Sequence, residues 1–164
     1  MMDKPVGHIY QPVDGVLSTP PSQRLHLILL GVDDVAKSII FYEALGWVQS
    51  PTSFPEFPKF DLGGYALCLL PKENLAKNVQ ADVSTMSGFS GVAFVYLAKR
   101  PEDVPNILCR AIEAGGTLVR PATRTEWGIA GYFQDPDGHI FEVDYEYEWM
   151  LDDDHHLIVD KMNT

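Results

Sequence analysis

Glu142 is a single acid set in the apolar run Ile140-Phe141-Glu142-Val143. A carboxylate that lines an apolar cleft has its charged form disfavoured by desolvation. That lifts its pKa toward the range useful to a general acid or base. The alternative is a polar residue bonded to a neighbour. Cys68, in Leu67-Cys68-Leu69, would be a nucleophile beside a base, but the sequence places no histidine next to it, and a buried inert thiol is the other reading. Trp127, Tyr132, Phe60 and Trp47 are candidates for the wall of a ligand cleft, with core packing as the alternative. Trp127 follows Arg124-Thr125-Glu126 and precedes Gly128, which suits a ring lying over a ligand at a pocket mouth. Arg120 and Arg124 would anchor a carboxylate or sit solvated on loops. Asp152-Asp153-Asp154-His155-His156 combines carboxylates and imidazoles, so it reads as a weak transition-ion site or as a solvated acidic turn.

These residues need elements to hold them. Leu25–Leu30 is an apolar run that reads as a buried strand. Asp33 and Asp34 are N-cap candidates for a helix carrying Val35, Ile39, Tyr42 and Leu45 at helical spacing, closed by Gly46. Trp47 and Val48 start a second strand, and Pro51, Pro55 and Pro58 break the stretch after it. Phe60–Leu62, Gly63-Gly64 and Tyr65–Leu70 form a hairpin pattern. Residues 71–88 are polar and read as a linker with one short helix. Val92–Leu97 is a strand; Asp103 opens a helix with Val104, Ile107, Leu108, Ala111 and Ile112 on one face and Pro105 in its first turn. Gly115-Gly116 closes it. Thr117–Val119 is a strand, and Ile129–Gln134, Asp135-Pro136-Asp137-Gly138 and His139–Asp144 make a second hairpin.

The halves superpose as patterns. Asp34 to Gly46 and Asp103 to Gly115 span equal lengths, and Gly64 and Gly138 each precede an apolar strand. This reads as an internal repeat. The fold class expected is α+β, with two tandem βαβββ modules forming a curved mixed sheet around a cleft. The boundaries are an extended arm over 1–23 with an edge strand near His8–Gln11, a domain over 24–146 built from modules 24–71 and 90–146, and a tail over 147–164.

Phe133-Gln134-Asp135-Pro136-Asp137-Gly138-His139-Ile140-Phe141-Glu142-Val143 is similar to the final hairpin of the vicinal oxygen chelate superfamily. That superfamily includes glyoxalases, bleomycin-resistance proteins and extradiol dioxygenases. Val32-Asp33-Asp34 with Ser38, Phe41-Tyr42 and Leu45-Gly46 resembles its opening stretch. Gly88-Phe89-Ser90-Gly91, Trp127-Gly128 and Gly131-Tyr132-Phe133 look like an uncharacterised glyoxalase-like subgroup. The resemblance implies paired βαβββ modules, usually as dimers. In the metal-dependent members it also implies a divalent ion held by His and Glu from four strand positions. Here those positions fall on Leu27, Cys68, Gly91 or Val92, and Glu142. That is one hard ligand and one thiol, short of what a divalent ion needs. No metal is therefore expected. A one-residue slip in register would instead pair His26 with Glu142 as ligands, since strand neighbours face opposite sides; otherwise His26 packs or hydrogen-bonds against the helix layer.

The chain has 164 residues, 46% hydrophobic and 21% charged, with a net charge of −11. That charge argues against nucleic acid and anionic membranes as partners. Two cysteines and no apolar leader in residues 1–24 are consistent with a reduced, cytoplasmic protein. No apolar run approaches a membrane span. Three functions stay open: a metal-independent lyase or isomerase using Glu142, a non-catalytic binder of a small organic molecule, and a metal-dependent lyase or dioxygenase. A homodimer without cofactor is expected.

Overall fold

The computed structural model describes residues 23–83 and 88–162. The expected edge strand near His8–Gln11, and the arm up to residue 22, lie outside the described residues. The α+β class read from the sequence is the one observed. Its strands lie in two mixed sheets and a terminal hairpin.

The first sheet holds β1 (Leu27–Val32), β3 (Ala66–Pro71) and β2 (Lys59–Asp61), in the order β1-β3-β2. β1 starts later than the apolar run, because Leu25 and His26 are exposed before the ladder begins. β1 runs parallel to β3, and β2 and β3 form the expected antiparallel hairpin around Gly63-Gly64. Trp47 and Val48 open no strand: the stretch holds only isolated bridges, Gln49 with Phe60 and Phe54 with Phe57. The prolines at 51, 55 and 58 supply no N–H for a ladder, so it does not extend.

Helix α1 (Val35–Ala44) is capped by Asp34, whose carboxylate accepts the Lys37 N–H at 3.0 Å. It stops at Gly46, held at φ +98°. There the Gly46 N–H reaches the Glu43 carbonyl and the Trp47 N–H reaches the Tyr42 carbonyl, the paired bonds of a Schellman end that needs a left-handed residue. Helix α2 (Lys72–Asn78) is the short helix expected after β3.

The second sheet runs β4 (Phe94–Leu97), β7 (Ile140–Glu146), β6 (Gly128–Gln134), β5 (Thr117–Arg124). Again the strand before the helix runs parallel to the last strand, β4 beside β7. β5 is longer than Thr117–Val119 because irregularities around Arg120 let it follow β6 to Arg124. Helix α3 (Asp103–Glu113) buries Val104, Leu108 and Ala111; Ile112, at the rim of that face, is exposed. β8 (Trp149–Leu151) and β9 (Leu157–Met162) form an antiparallel hairpin.

One core joins both halves. Leu30, Val32, Phe60, Leu67 and Leu69 from the first sheet meet Phe133, Phe141 and Val143 from the second through Phe41 and Tyr42 of α1. The Asp135-to-Gly138 turn pins this contact. Asp135 is buried and accepts from the Tyr42 hydroxyl at 2.8 Å and from the His139 N–H at 2.8 Å. Asp137 accepts from the Asp33 N–H at 2.6 Å and the Ser38 hydroxyl at 2.9 Å. Burial works against the Asp135 charge, but bonds from His139 and Tyr42 outweigh it and hold this carboxyl below the usual range. No helix among the described residues is long and apolar enough to cross a membrane.

Candidate functional site

Strand alternation divides β7 cleanly. Phe141 and Val143 point into the core, with Tyr145 packed at its margin, so Glu142, Asp144 and Glu146 share the opposite face. Cross-strand register sets their neighbours. Glu142 lies level with Val95 on β4 and Tyr132 on β6, and Arg120 on β5 is level with Tyr132. Asp144 lies level with Leu97 and Ala130, and Glu146 with Gly128.

The Tyr132 hydroxyl donates to Glu142 Oε1 at 2.6 Å. This bond, then partial burial and the Glu142 charge, pushes the phenol up to about 12; Arg120, its guanidinium 5.9 Å from the ring centroid, pulls the other way. Tyr132 therefore keeps its proton near neutrality and stays a donor. Among the described residues only Tyr132 hydrogen-bonds to the Glu142 side chain, through Oε1.

Asp144 is 4% exposed, and its Oδ1 has no hydrogen-bond partner among the described residues. Burial, then the charge and hydrogen bond of Glu146 and the charge of Glu142, pushes its carboxyl up to about 7. Neither Asp144 nor Glu146 was singled out in the sequence, although acids at 142, 144 and 146 alternate with Phe141, Val143 and Tyr145. That period of two is the signal that places them on one face.

The other candidates scatter. Phe60 is 1% exposed, and its ring packs in the core against those of Tyr42 and Trp47, at centroid distances of 5.5 and 5.9 Å. Phe60 thus belongs to the core, and the part-buried Trp47 packs against it. Cys68 is fully buried in the other sheet, level with Leu29 and Lys59. Burial pushes its thiol up, against the pull of Lys59, so it is a weak nucleophile. Trp127 is 54% exposed on the β5–β6 turn, where Thr125 Oγ1 accepts the Trp127 and Gly128 N–H groups. It flanks Gly128 and so stands at the Glu146 end of the carboxylate row. Arg124 lies over the Tyr147 ring at 5.3 Å.

His26 is exposed ahead of β1, its carbonyl accepting the Ala66 N–H. Leu27 and Val92 offer no donor atoms, and among the described residues no group of three His, Cys, Asp or Glu is arranged to hold a metal ion. The residues at the four strand positions do not fit a divalent ion. The acidic tail is a hairpin turn: Asp152 accepts the Asp154 and His156 N–H groups at 3.0 and 2.7 Å, and His155 Nε2 lies 2.8 Å from the Leu97 carbonyl. A cavity of about 420 Å3, lined by Tyr96, Asp103, Ile107, Arg110 and His155 among others, opens beside α3, away from Glu142.

Comparison with known proteins gives a consistent picture. The family model described as Glyoxalase/Bleomycin resistance protein/Dioxygenase superfamily matches residues 24–143. A glyoxalase-related enzyme from Fulvimarina pelagi is similar at 30% identity and a TM-score of 0.75, over 83% of this chain and 97% of that one. A hypothetical protein from S. aureus is similar at 25% identity and TM-score 0.65, over 76% and 94%. A lactoylglutathione lyase from Agrobacterium tumefaciens shares the fold at 19% identity and TM-score 0.55, over 77% and 96%.

Proposed function

The chain belongs to the glyoxalase/bleomycin resistance protein/dioxygenase superfamily, and from that premise we propose that it binds a small organic molecule on the open face of the β4-β7-β6-β5 sheet and moves a proton on it without a metal. The observation that carries this reading is the 2.6 Å bond from the Tyr132 hydroxyl to Glu142. A carboxylate with one oxygen fixed and the other free is a positioned acid or base. A phenol that keeps its proton beside it can donate to an oxygen on which negative charge develops. The pair suits a lyase or isomerase step at a carbon next to a carbonyl.

A fragment screen by protein NMR finds the ligand class, and turnover of the hits is then followed. Glu142→Gln is expected to abolish turnover and leave affinity within a few-fold. Turnover of a thiol adduct or a catechol that requires added metal would overturn the reading.

The exposure of Trp127 favours a second reading, a non-catalytic binder. In that case Trp127→Ala lowers affinity about tenfold or more and no product forms at any pH.

A further inference from the structure

The face that carries Glu142 and Tyr132 holds a feature the proton-transfer pair does not use. Three carboxylates, Glu142, Asp144 and Glu146, stand in one row along β7. The middle one is nearly sealed, and one of its oxygens has no donor among the described residues. Its cross-strand neighbours, Leu97 and Ala130, present only apolar side chains. The Tyr145 backbone and the Glu146 carboxyl are its hydrogen-bond partners, and an ionised Glu146 adds repulsion in place of a donor. A buried polar atom left unpaired costs about 1–3 kcal/mol, more for a charged group. A fold that keeps such a group between two other acids has a place where cationic N–H donors are strongly favoured.

We infer that the Glu142–Asp144–Glu146 row is a subsite for an organic amine, whose ammonium N–H groups satisfy the unpaired Asp144 oxygen and the carboxylates on either side. This rests on the reading of the open face as the ligand site, and it names the ligand's class. Among the described residues no group of three His, Cys, Asp or Glu is arranged to hold a metal ion, whereas an ammonium needs only carboxylate oxygens to accept its N–H groups. Glu142, held by Tyr132, and the hydrogen-bonded Asp144–Glu146 pair make two stations, which suit a flexible chain with two separated nitrogens. Binding replaces the Asp144–Glu146 hydrogen bond with bonds from the ammonium.

The probe is 1,4-diaminobutane, titrated into the full chain by calorimetry and by NMR. Tetramethylammonium (charge without N–H), butane-1,4-diol (neutral) and magnesium serve as comparisons. The expected result is saturable binding of one diamine per chain. The largest amide shifts fall at Ala130, Asp144 and Glu146, and each comparison compound binds at least tenfold more weakly. Asp144→Asn is expected to weaken the diamine at least tenfold and Glu146→Gln several-fold. Glu56→Gln, which removes an exposed acid elsewhere, leaves affinity unchanged. Glu146→Gln also serves as the working variant if Asp144→Asn fails to fold. Equal binding of tetramethylammonium or magnesium, an unchanged affinity in Asp144→Asn and Glu146→Gln, or an equal loss in Glu56→Gln would overturn the inference. If neutral fragments bind at Glu142 and Tyr132 while the diamine does not, only this inference fails. If no compound shifts the open face, the functional reading fails with it.

Discussion

At the scale of single residues, two buried acids pull stability in opposite directions with pH. Asp144 is pushed up to about 7 by burial and its acidic neighbours. The folded state therefore holds its proton more tightly than the unfolded chain, whose carboxylates titrate near pH 4. Its contribution is complete below that pH and is lost as pH rises toward 7. Asp135, held below the usual range, works the other way, and its contribution is lost as the pH falls through its folded-state pKa. Asp144→Asn should remove the neutral-side loss. At pH 8 it should unfold about 1–3 kcal/mol harder than the parent, the usual cost of an unsatisfied buried polar group, as measured by urea denaturation. At pH 4 the two proteins should nearly coincide. Glu142 stands out in the sequence as an acid in an apolar strand. The burial of Asp144 does not, because it depends on segments far from it in sequence.

Elements explain what the most recognisable stretch of the chain does for the fold. The Asp135-Pro136-Asp137-Gly138 turn spends its carboxylates on Tyr42, His139, Asp33 and Ser38, so it is the joint between α1 and the second hairpin. Tyr42→Phe removes the hydroxyl that donates to a buried carboxylate, and should cost about 1.5–3 kcal/mol in chemical denaturation. β6 shows the same dependence on close contact. A Cβ at Gly131 would run into the Leu108 side chain of α3 and come within 3.0 Å of the Ala122 nitrogen. Gly131→Ala should therefore destabilise by about 1–3 kcal/mol through overpacking, read as a lower urea midpoint with an unchanged slope. Helix ends and hairpin turns were legible because Asp34, Gly46 and the paired glycines act through local backbone chemistry. The missing strand at Trp47 was misread because an apolar pair suits a core position as well as a strand. What decided it was packing: the Trp47 ring lies 5.3 Å from that of Tyr42.

For the whole molecule, charge is the dominant long-range force. A net charge of −11 repels itself in the compact state, and the carboxylate row concentrates part of it on one face. Added sodium chloride should raise the melting temperature. Most of the gain should arrive by about 0.1 M, where the screening length falls to about 10 Å. Calorimetry across a salt series checks this, and a flat response would mean that local ion pairs already balance the charge. By itself the sequence determined the α+β class, the two helices with their caps, both hairpins and the family, because periodicity, capping and turn geometry act over a few neighbouring residues. Only the tertiary structure decided that Phe60 lies in the core with Trp47 packed against it, that Cys68 and Glu142 lie in different sheets, and that Asp144 is buried with one oxygen lacking a partner among the described residues. Alternation says which residues share a face, but what covers that face is set by distant segments folding against it.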